Sequence, residues 1–333
     1  MMTKLTSSFS EAEPNPNPDL VDQETLKIQK MIPSDYNQKL MLALNSGING
    51  DYSLLQEQRS VQYPTQVIEG VNSYDDYFNF NNRKLLVRHY YPSNCTNPES
   101  LPLFIYIHGG GWCFSYSDQR NYFSSTISKK CNVEFVLLNY SLSPEAECGE
   151  ALSEIHSIYL YLLKRSPPNR PTFVCGDSAG GNLSACLVHK LKNSKSSEKV
   201  RLPTALLLFY PVTDCVNDYK SHHTFASGYE LNYDIMRRYI DAYCPDVEMR
   251  KDPLVSPIFG DLNGFPPSLV ITSQFDILRD EGLAFAKKLD ESGVPVKYVC
   301  LETANHGFLA RPELKKLFDV SESHIIDFIK LFD

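Results

Sequence analysis

The stretch Thr172–Asn182, TFVCGDSAGGN, constrains this chain more than any other. A short apolar run, Thr172–Cys175, enters Gly176-Asp177-Ser178-Ala179-Gly180, and a helical pattern begins at once. This is G-x-S-x-G in the strand–turn–helix setting that gives the pattern its meaning. A serine on so tight a turn is lifted above a sheet. Its neighbours must be small for the backbone to close, and Gly176 and Gly180 meet that demand. The amide of Ala179 opens a helix and points where negative charge would develop on a bound carbonyl. The same glycines could form an ordinary strand–helix turn or a phosphate cradle. No G-K-[ST] occurs in the chain, which argues against the cradle. Ser178 is therefore the candidate nucleophile.

A second glycine-rich turn supplies what such a serine needs. Residues 101–114 read LPLFIYIHGGGWCF, an apolar strand ending at His108 and followed by three glycines. Three glycines cost conformational entropy unless the backbone must approach something closely. A loop in this place donates further N–H groups to an oxyanion. Gly110 and Gly111 are the expected donors, acting with Ala179, while Gly109 reads as a hinge. His108 reads as structural, holding the loop by hydrogen bonds. A flexible surface turn is the competing reading, and Trp112 and Phe114 argue against it because large rings there suggest a lined pocket. Tyr210, at the end of the later strand Thr204–Phe209, is expected in the same pocket wall.

A nucleophilic serine requires a base, and the base an orienting carboxylate. The expected chain order is serine, acid, histidine, each on a loop after a strand. The strand Leu269–Thr272 runs into Ser273-Gln274-Phe275-Asp276-Ile277-Leu278-Arg279-Asp280-Glu281. Asp276 lies just past the strand, in the acid's place. Asp280 and Glu281 open the next helix, where acids favour the positive end of the dipole, and are expected to cap it. His306 follows the last strand, Val296–Cys300, and is the candidate base. His222 and His223 precede the acid and His324 lies mid-helix, so they fit worse. His89, His156 and His189 form background, and no metal-ligand spacing emerges.

The rest of the chain gives these motifs their frame. From about residue 61, β-branched or aromatic runs (Lys84–Tyr90, Leu103–Ile107, Glu134–Leu138, then the strands above) alternate with helical stretches at Glu145–Lys164, Gly181–Lys192, Asp280–Ser292 and Pro312–Leu331. Such alternation predicts an α/β protein, a mostly parallel sheet with helices on both faces. Residues 1–19, with prolines alternating with asparagines, predict a flexible tail. Residues 20–60 predict a pair of short helices, and 61–333 the main domain. The Tyr- and Phe-rich segment 212–252 interrupts the alternation as an inserted helical cap, and Lys192–Lys199 reads as a polar loop. A net charge of −8 with no basic block leaves no footprint for nucleic acid or an anionic membrane surface. No apolar run approaches the roughly 20 residues that span a bilayer. Met1–Leu20 has no apolar stretch like that of a secretory signal. Nine scattered cysteines, an odd number without C-x-x-C, then predict free thiols in a cytoplasmic setting.

These residues together resemble the hormone-sensitive-lipase-like family of α/β-hydrolases, which includes bacterial esterases and arylacetamide deacetylase. The resemblance covers about 250 residues, from Lys84 onward. It rests on HGGGW at 108–112, GDSAGGN at 176–182, DPLVSPIF at 252–259, FDILRDEG at 275–282 and HGF at 306–308. It implies the α/β-hydrolase fold with an eight-stranded sheet and a cap of N-terminal helices plus an insertion. It implies a Ser178–Asp276–His306 triad, oxyanion donors Gly110, Gly111 and Ala179, and no cofactor. The implied activity is hydrolysis of small carboxylic esters of short or medium acyl length, with the oligomeric state, monomer or dimer, left open. An amidase or deacetylase with the same machinery, a lipase, and a non-catalytic receptor on the same scaffold are the alternatives; plant gibberellin receptors look similar but lack the histidine that His306 supplies here. At YSLSPE, 140–145, the chain departs from the pattern: Ser141 stands where the family usually has arginine, and Ser143 where it has alanine.

Overall fold

The computed structural model describes residues 20–21, 23–31, 34–61, 67–115, 120–194, 200–311 and 313–332, with residues 9, 14 and 17. Apart from those three, the tail expected over 1–19 lies outside the described residues, as does 195–199 of the polar loop.

Three helices come first: α1 Gln23–Met31, α2 Tyr36–Ile48 and α3 Ser53–Arg59. The sequence predicted two. The third is hard to read from pattern, because SLLQEQR is short and buries only Leu55. The strands are β1 Val71–Phe80, β2 Arg83–Pro92, β3 Leu103–Ile107, β4 Glu134–Leu138, β5 Thr172–Asp177, β6 Ala205–Phe209, β7 Ser268–Phe275 and β8 Val296–Asn305. They form one sheet in the order β1-β2-β4-β3-β5-β6-β7-β8. β1 and β2 run antiparallel to their neighbours, and all pairs from β4 onward are parallel.

Every residue of β3, β4, β5, β6 and β7 is buried, as expected of parallel strands covered on both faces. Helices α4 Asn121–Cys131 and α10 Lys315–Ile329 cover one face, and α5 Glu150–Arg165, α6 Ala179–Lys192 and α9 Arg279–Glu291 cover the other. The insert contributes α7 Lys220–Thr224 and α8 Tyr233–Tyr243, and α8 packs on α2.

Two further elements escaped the sequence pattern. β1, VNSYDDYFNF, is an edge strand with no buried residue, so it carries acids and asparagines where a central strand would carry valines. It is joined to β2 through Asn81 and Asn82, both at positive φ (45° and 66°), as the tight hairpin turn requires. α4, NYFSSTISKKC, buries mostly serines and a threonine, so no apolar stripe marks it. The helix expected from Glu145 begins at Glu150, after Gly149 in the left-handed region (φ 87°).

Candidate active site

The loops after β3, β5, β7 and β8 meet at the carboxyl edge of the sheet, where open α/β folds bind ligands. Ser178 sits at φ 54°, ψ −121°, a conformation L-residues avoid. The fold holds it there by backbone. Its N–H donates to Phe209 O (2.9 Å), and its carbonyl accepts from Asn182 N (3.0 Å) and Val212 N (3.2 Å). Gly180 has no alternative: a Cβ there would lie 2.0 Å from the Ile107 carbonyl oxygen.

The three expected residues come together in one chain of hydrogen bonds. His306 Nε2 lies 3.0 Å from Ser178 Oγ, and His306 Nδ1 lies 2.7 Å from Asp276 Oδ2. A carboxylate oxygen only accepts, so Nδ1 carries the proton and Nε2 is free to accept from the serine hydroxyl. Asp276 Oδ1 accepts from Leu278 N (3.0 Å). Ser273 Oγ donates to Asn305 O (2.9 Å) and so fixes the residue before the histidine. Burial pulls the His306 pKa down. The charge and hydrogen bond of Asp276, helped by Asp177 and Glu230, outweigh it and hold the imidazole above its ordinary value.

The loop after β3 turns through positive φ at Gly110 (122°), Gly111 (58°) and Trp112 (57°). In a trans peptide the C=O of one residue and the N–H of the next point in opposite directions. His108 Nδ1 donates to Gly109 O (2.8 Å), so the Gly110 N–H faces away from the His108 ring. Gly110 O accepts from Cys113 N (3.1 Å) and Phe114 N (2.9 Å), so the Gly111 N–H faces away from that turn. Ala179 is the first residue of α6, where an amide has no intrahelical partner. His108 is buried and stacked on Tyr140 (4.3 Å), and burial lowers its pKa to about 4, so it holds the loop as a neutral ring.

The three expected pocket rings lie deeper than the sequence suggested. Trp112 is 1% exposed and stacks flat on Tyr243 of the insert (4.3 Å, 4°). Phe114, equally buried, meets Tyr239 edge-on (6.2 Å). Tyr210 has no exposed surface. Its ring packs edge-on to His306 (4.7 Å), with its hydroxyl 3.4 Å from Asp177 Oδ2. It backs the histidine instead of forming an open wall, because Tyr210 N is held on Ile271 O (2.6 Å) at the end of its strand.

Asp280 and Glu281 do not cap their own helix. Asp280 accepts from Ser221 N (2.9 Å) in α7, and Glu281, 1% exposed, accepts from Thr213 N (2.7 Å) and meets His222 Nε2 (3.2 Å). Burial raises the Glu281 carboxyl above the usual range despite His222. Both acids therefore anchor the insert.

Other participants were missed in the sequence. Asp177 is fully buried beneath the nucleophile. It accepts from Gly109 N (2.7 Å) and Tyr106 Oη (2.5 Å) and pairs with Arg120 (2.6 Å), which ties the glycine loop to the serine turn. Burial works against its charge, but Arg120 and these donors hold its carboxyl below the usual range. Its place inside G-D-S was the only signal. At the departure from the family pattern, Arg83 on β2 reaches Ser141 Oγ (2.9 Å) and Glu154 (3.3 Å), so a guanidinium arrives from another strand.

A serine on a strand-to-helix elbow, with an acid and a histidine on later loops of a mostly parallel eight-stranded sheet, defines an α/β-hydrolase. A family model described as the alpha/beta hydrolase fold matches residues 104–310. The chain belongs to that family, in its hormone-sensitive-lipase-like branch. It is 30% identical over 230 residues to the carboxylic ester hydrolase LipN of Mycobacterium tuberculosis, covering 67% of this chain and 60% of that protein. It is 27% identical over 241 residues to an arylesterase of Saccharolobus solfataricus, covering 70% and 76%. Against three of its curated relatives, the chain spans 64%, 60% and 54% of their length. Among solved structures it resembles a fungal esterase from Rhizomucor miehei (TM-score 0.76, 26% identity, 93% and 96% of the two chains). A thermostable esterase from Pseudomonas putida is similar as well (TM-score 0.73, 25% identity, 90% and 94%). No helix among the described residues is long and apolar enough to cross a membrane.

Proposed function

We propose that this chain is a serine carboxylesterase acting on short- to medium-chain esters through an acyl-enzyme. The observation that carries the reading is the unbroken chain from Ser178 Oγ to His306 to Asp276, at 3.0 and 2.7 Å. Ser178 Oγ attacks the ester carbonyl carbon as His306 Nε2 takes its proton. Charge collects on the carbonyl oxygen and is held by the amides of Gly110, Gly111 and Ala179, each such donor contributing about 2.7–4 kcal/mol to the transition state. The ester C–O bond then breaks, the alcohol leaves with the proton from His306, and water repeats the sequence to release the acid. Names of the relatives, a carboxylic ester hydrolase and an arylesterase, support ester as the bond cleaved. A histidine in contact with the serine argues against a non-catalytic receptor.

On this reading α1–α3 and residues 212–252 cover the site, with Trp112 and Tyr210 as its rigid backing. Closed, aromatic surroundings limit depth. Each methylene that fits contributes up to about 0.8 kcal/mol, and the first that does not must distort packed rings at about 1–3 kcal/mol. The test is a panel of p-nitrophenyl esters of increasing chain length, on wild type and Ser178→Ala, with fluorophosphonate labelling of Ser178. Rate should climb and then drop where the rings must give, at roughly the eight carbons that the resemblance to the hormone-sensitive-lipase-like family implies. Efficient cleavage of sixteen-carbon esters, or turnover by Ser178→Ala, would overturn the proposal.

A further inference from the structure

Arg59 ends the third N-terminal helix, far in sequence from any motif, yet its guanidinium is spent entirely on the glycine loop and its support. Nε donates to Cys113 O (2.8 Å), and one terminal nitrogen donates to Ser143 O (2.9 Å). Both terminal nitrogens fork onto the Glu145 carboxylate (2.5 and 3.0 Å), and the group sits 6.0 Å from the Phe114 ring centre. A planar fork with its donors in fixed directions sets the orientation of what it grips.

What it grips is a relay of peptide planes. With Cys113 O turned to Arg59, the Phe114 N–H of the same peptide must point the other way, and it donates to Gly110 O (2.9 Å). Ser143 N donates to Trp112 O (2.9 Å), so the Cys113 N–H of that peptide also turns to Gly110 O (3.1 Å). Ser143 is itself held by Arg59 through its own carbonyl. Of the two amides on Gly110 O, that of Phe114 is thus directed by a plane that Arg59 grips itself, and that of Cys113 indirectly, through Ser143; Gly110 O in turn directs the Gly111 N–H. The loop needs such a hold: three successive residues lie at positive φ, and one of them, Trp112, is not glycine.

We propose that Arg59 is a positioning residue that aims the Gly111 amide at the developing oxyanion, so that docking of the N-terminal helices completes the oxyanion hole. The proposal rests on the esterase reading above. It makes the N-terminal segment part of the catalytic geometry as well as part of the cover.

The experiment compares wild type with Arg59→Met, Arg59→Lys and Glu145→Gln in the full chain. It measures kcat and KM for p-nitrophenyl butyrate, inhibition by a trifluoromethyl ketone that forms a tetrahedral oxyanion on Ser178, and thermal midpoint. Misaiming one donor should lower kcat of Arg59→Met about 10–100-fold, short of the 10²–10³ for outright loss, with KM changed less than about 3-fold. Affinity for the ketone should fall by the same factor as kcat. Arg59→Lys, which keeps the charge but loses the fork, should fall in between, and added guanidinium ion at millimolar concentration should restore part of the Arg59→Met rate. An unchanged kcat in Arg59→Met overturns the proposal. So does a loss of kcat that guanidinium does not rescue and that matches the loss of folded protein. If wild type itself neither hydrolyses the ester nor is labelled by a fluorophosphonate at Ser178, the esterase reading has failed instead.

Discussion

The triad hangs from backbone, whereas the N-terminal helices and the insert are anchored largely through side chains. Ser178 is fixed by Phe209 O, Asn182 N and Val212 N, and Asp276 and His306 follow the ends of paired parallel strands. The N-terminal helices and the insert are tied down by Arg59 on Cys113 and Ser143, Glu281 on Thr213, Asn182 Nδ2 on Val212 O and Val255 O (3.1 and 2.9 Å), Ser221 Oγ on Ile277 O (2.6 Å), and the Arg311–Glu230 pair (2.6 Å). Backbone placement survives most substitutions, since any residue brings its own amide. Side-chain anchors do not, because one replacement removes the bond and strands its partner. The two regions should therefore fail differently: chemistry lost without unfolding in the first, stability or alignment lost in the second.

The largest effect should come from the triad. Ser178→Ala or His306→Ala should lower kcat by about 10⁴-fold or more, with the thermal midpoint nearly unchanged, because the neighbouring backbone bonds remain. Substantial turnover in either variant, measured with p-nitrophenyl butyrate, would show that Ser178 and His306 are not nucleophile and base.

Asp276→Asn should cost about 10³–10⁴-fold, since the amide no longer selects the tautomer with its proton on Nδ1. The pH profile sharpens the point. His306 acts as base only when neutral, and its pKa stands above the ordinary 6.5 with Asp276 as the main upward influence. The acid limb of kcat/KM should therefore have its midpoint above pH 6.5 in wild type, with activity lost as pH falls through it, and should move to lower pH in Asp276→Asn. A rate flat from about pH 5 to 8 would contradict a histidine base.

Among the anchors, Glu281→Ala leaves His222 and the Thr213 amide without their buried acceptor. Removing one partner of a buried pair costs about 3–5 kcal/mol, so the urea midpoint should drop strongly. The residual folded enzyme should keep its fluorophosphonate reactivity, since Glu281 touches no triad atom. A wild-type unfolding curve would show that the insert is held by something other than these side chains.

The smallest effect should fall at Arg83→Gln. Arg83 is partly exposed, and its bonds to Ser141, Glu150 and Glu154 are expected to contribute less than about 1 kcal/mol. A larger loss would mean that the guanidinium from β2 does the structural work expected of an arginine at 141.

The sequence by itself determined the strands β3 to β8, the serine turn, the glycine loop, and the order in which acid and histidine follow. Each is written locally, as a short apolar run or as glycines where a Cβ would strike backbone. It could not show α3, which is short and buries only Leu55, nor β1, whose edge position removes the apolar alternation, nor α4, whose buried face is more than half Ser and Thr. It read Asp280 and Glu281 as caps because their own helix begins there, while their actual partners, Ser221 and Thr213, lie about sixty residues earlier in the chain. It placed Tyr210 in the pocket wall because strand ends usually face ligand; the sheet turned it behind His306. Arg59 gave no local signal, and Asp177 none beyond its place inside G-D-S, since a charge reveals its role only when the fold chooses its partner. Local pattern records what a residue does to its own stretch of backbone, and only the tertiary structure decides which distant carbonyl or carboxylate a long side chain will meet.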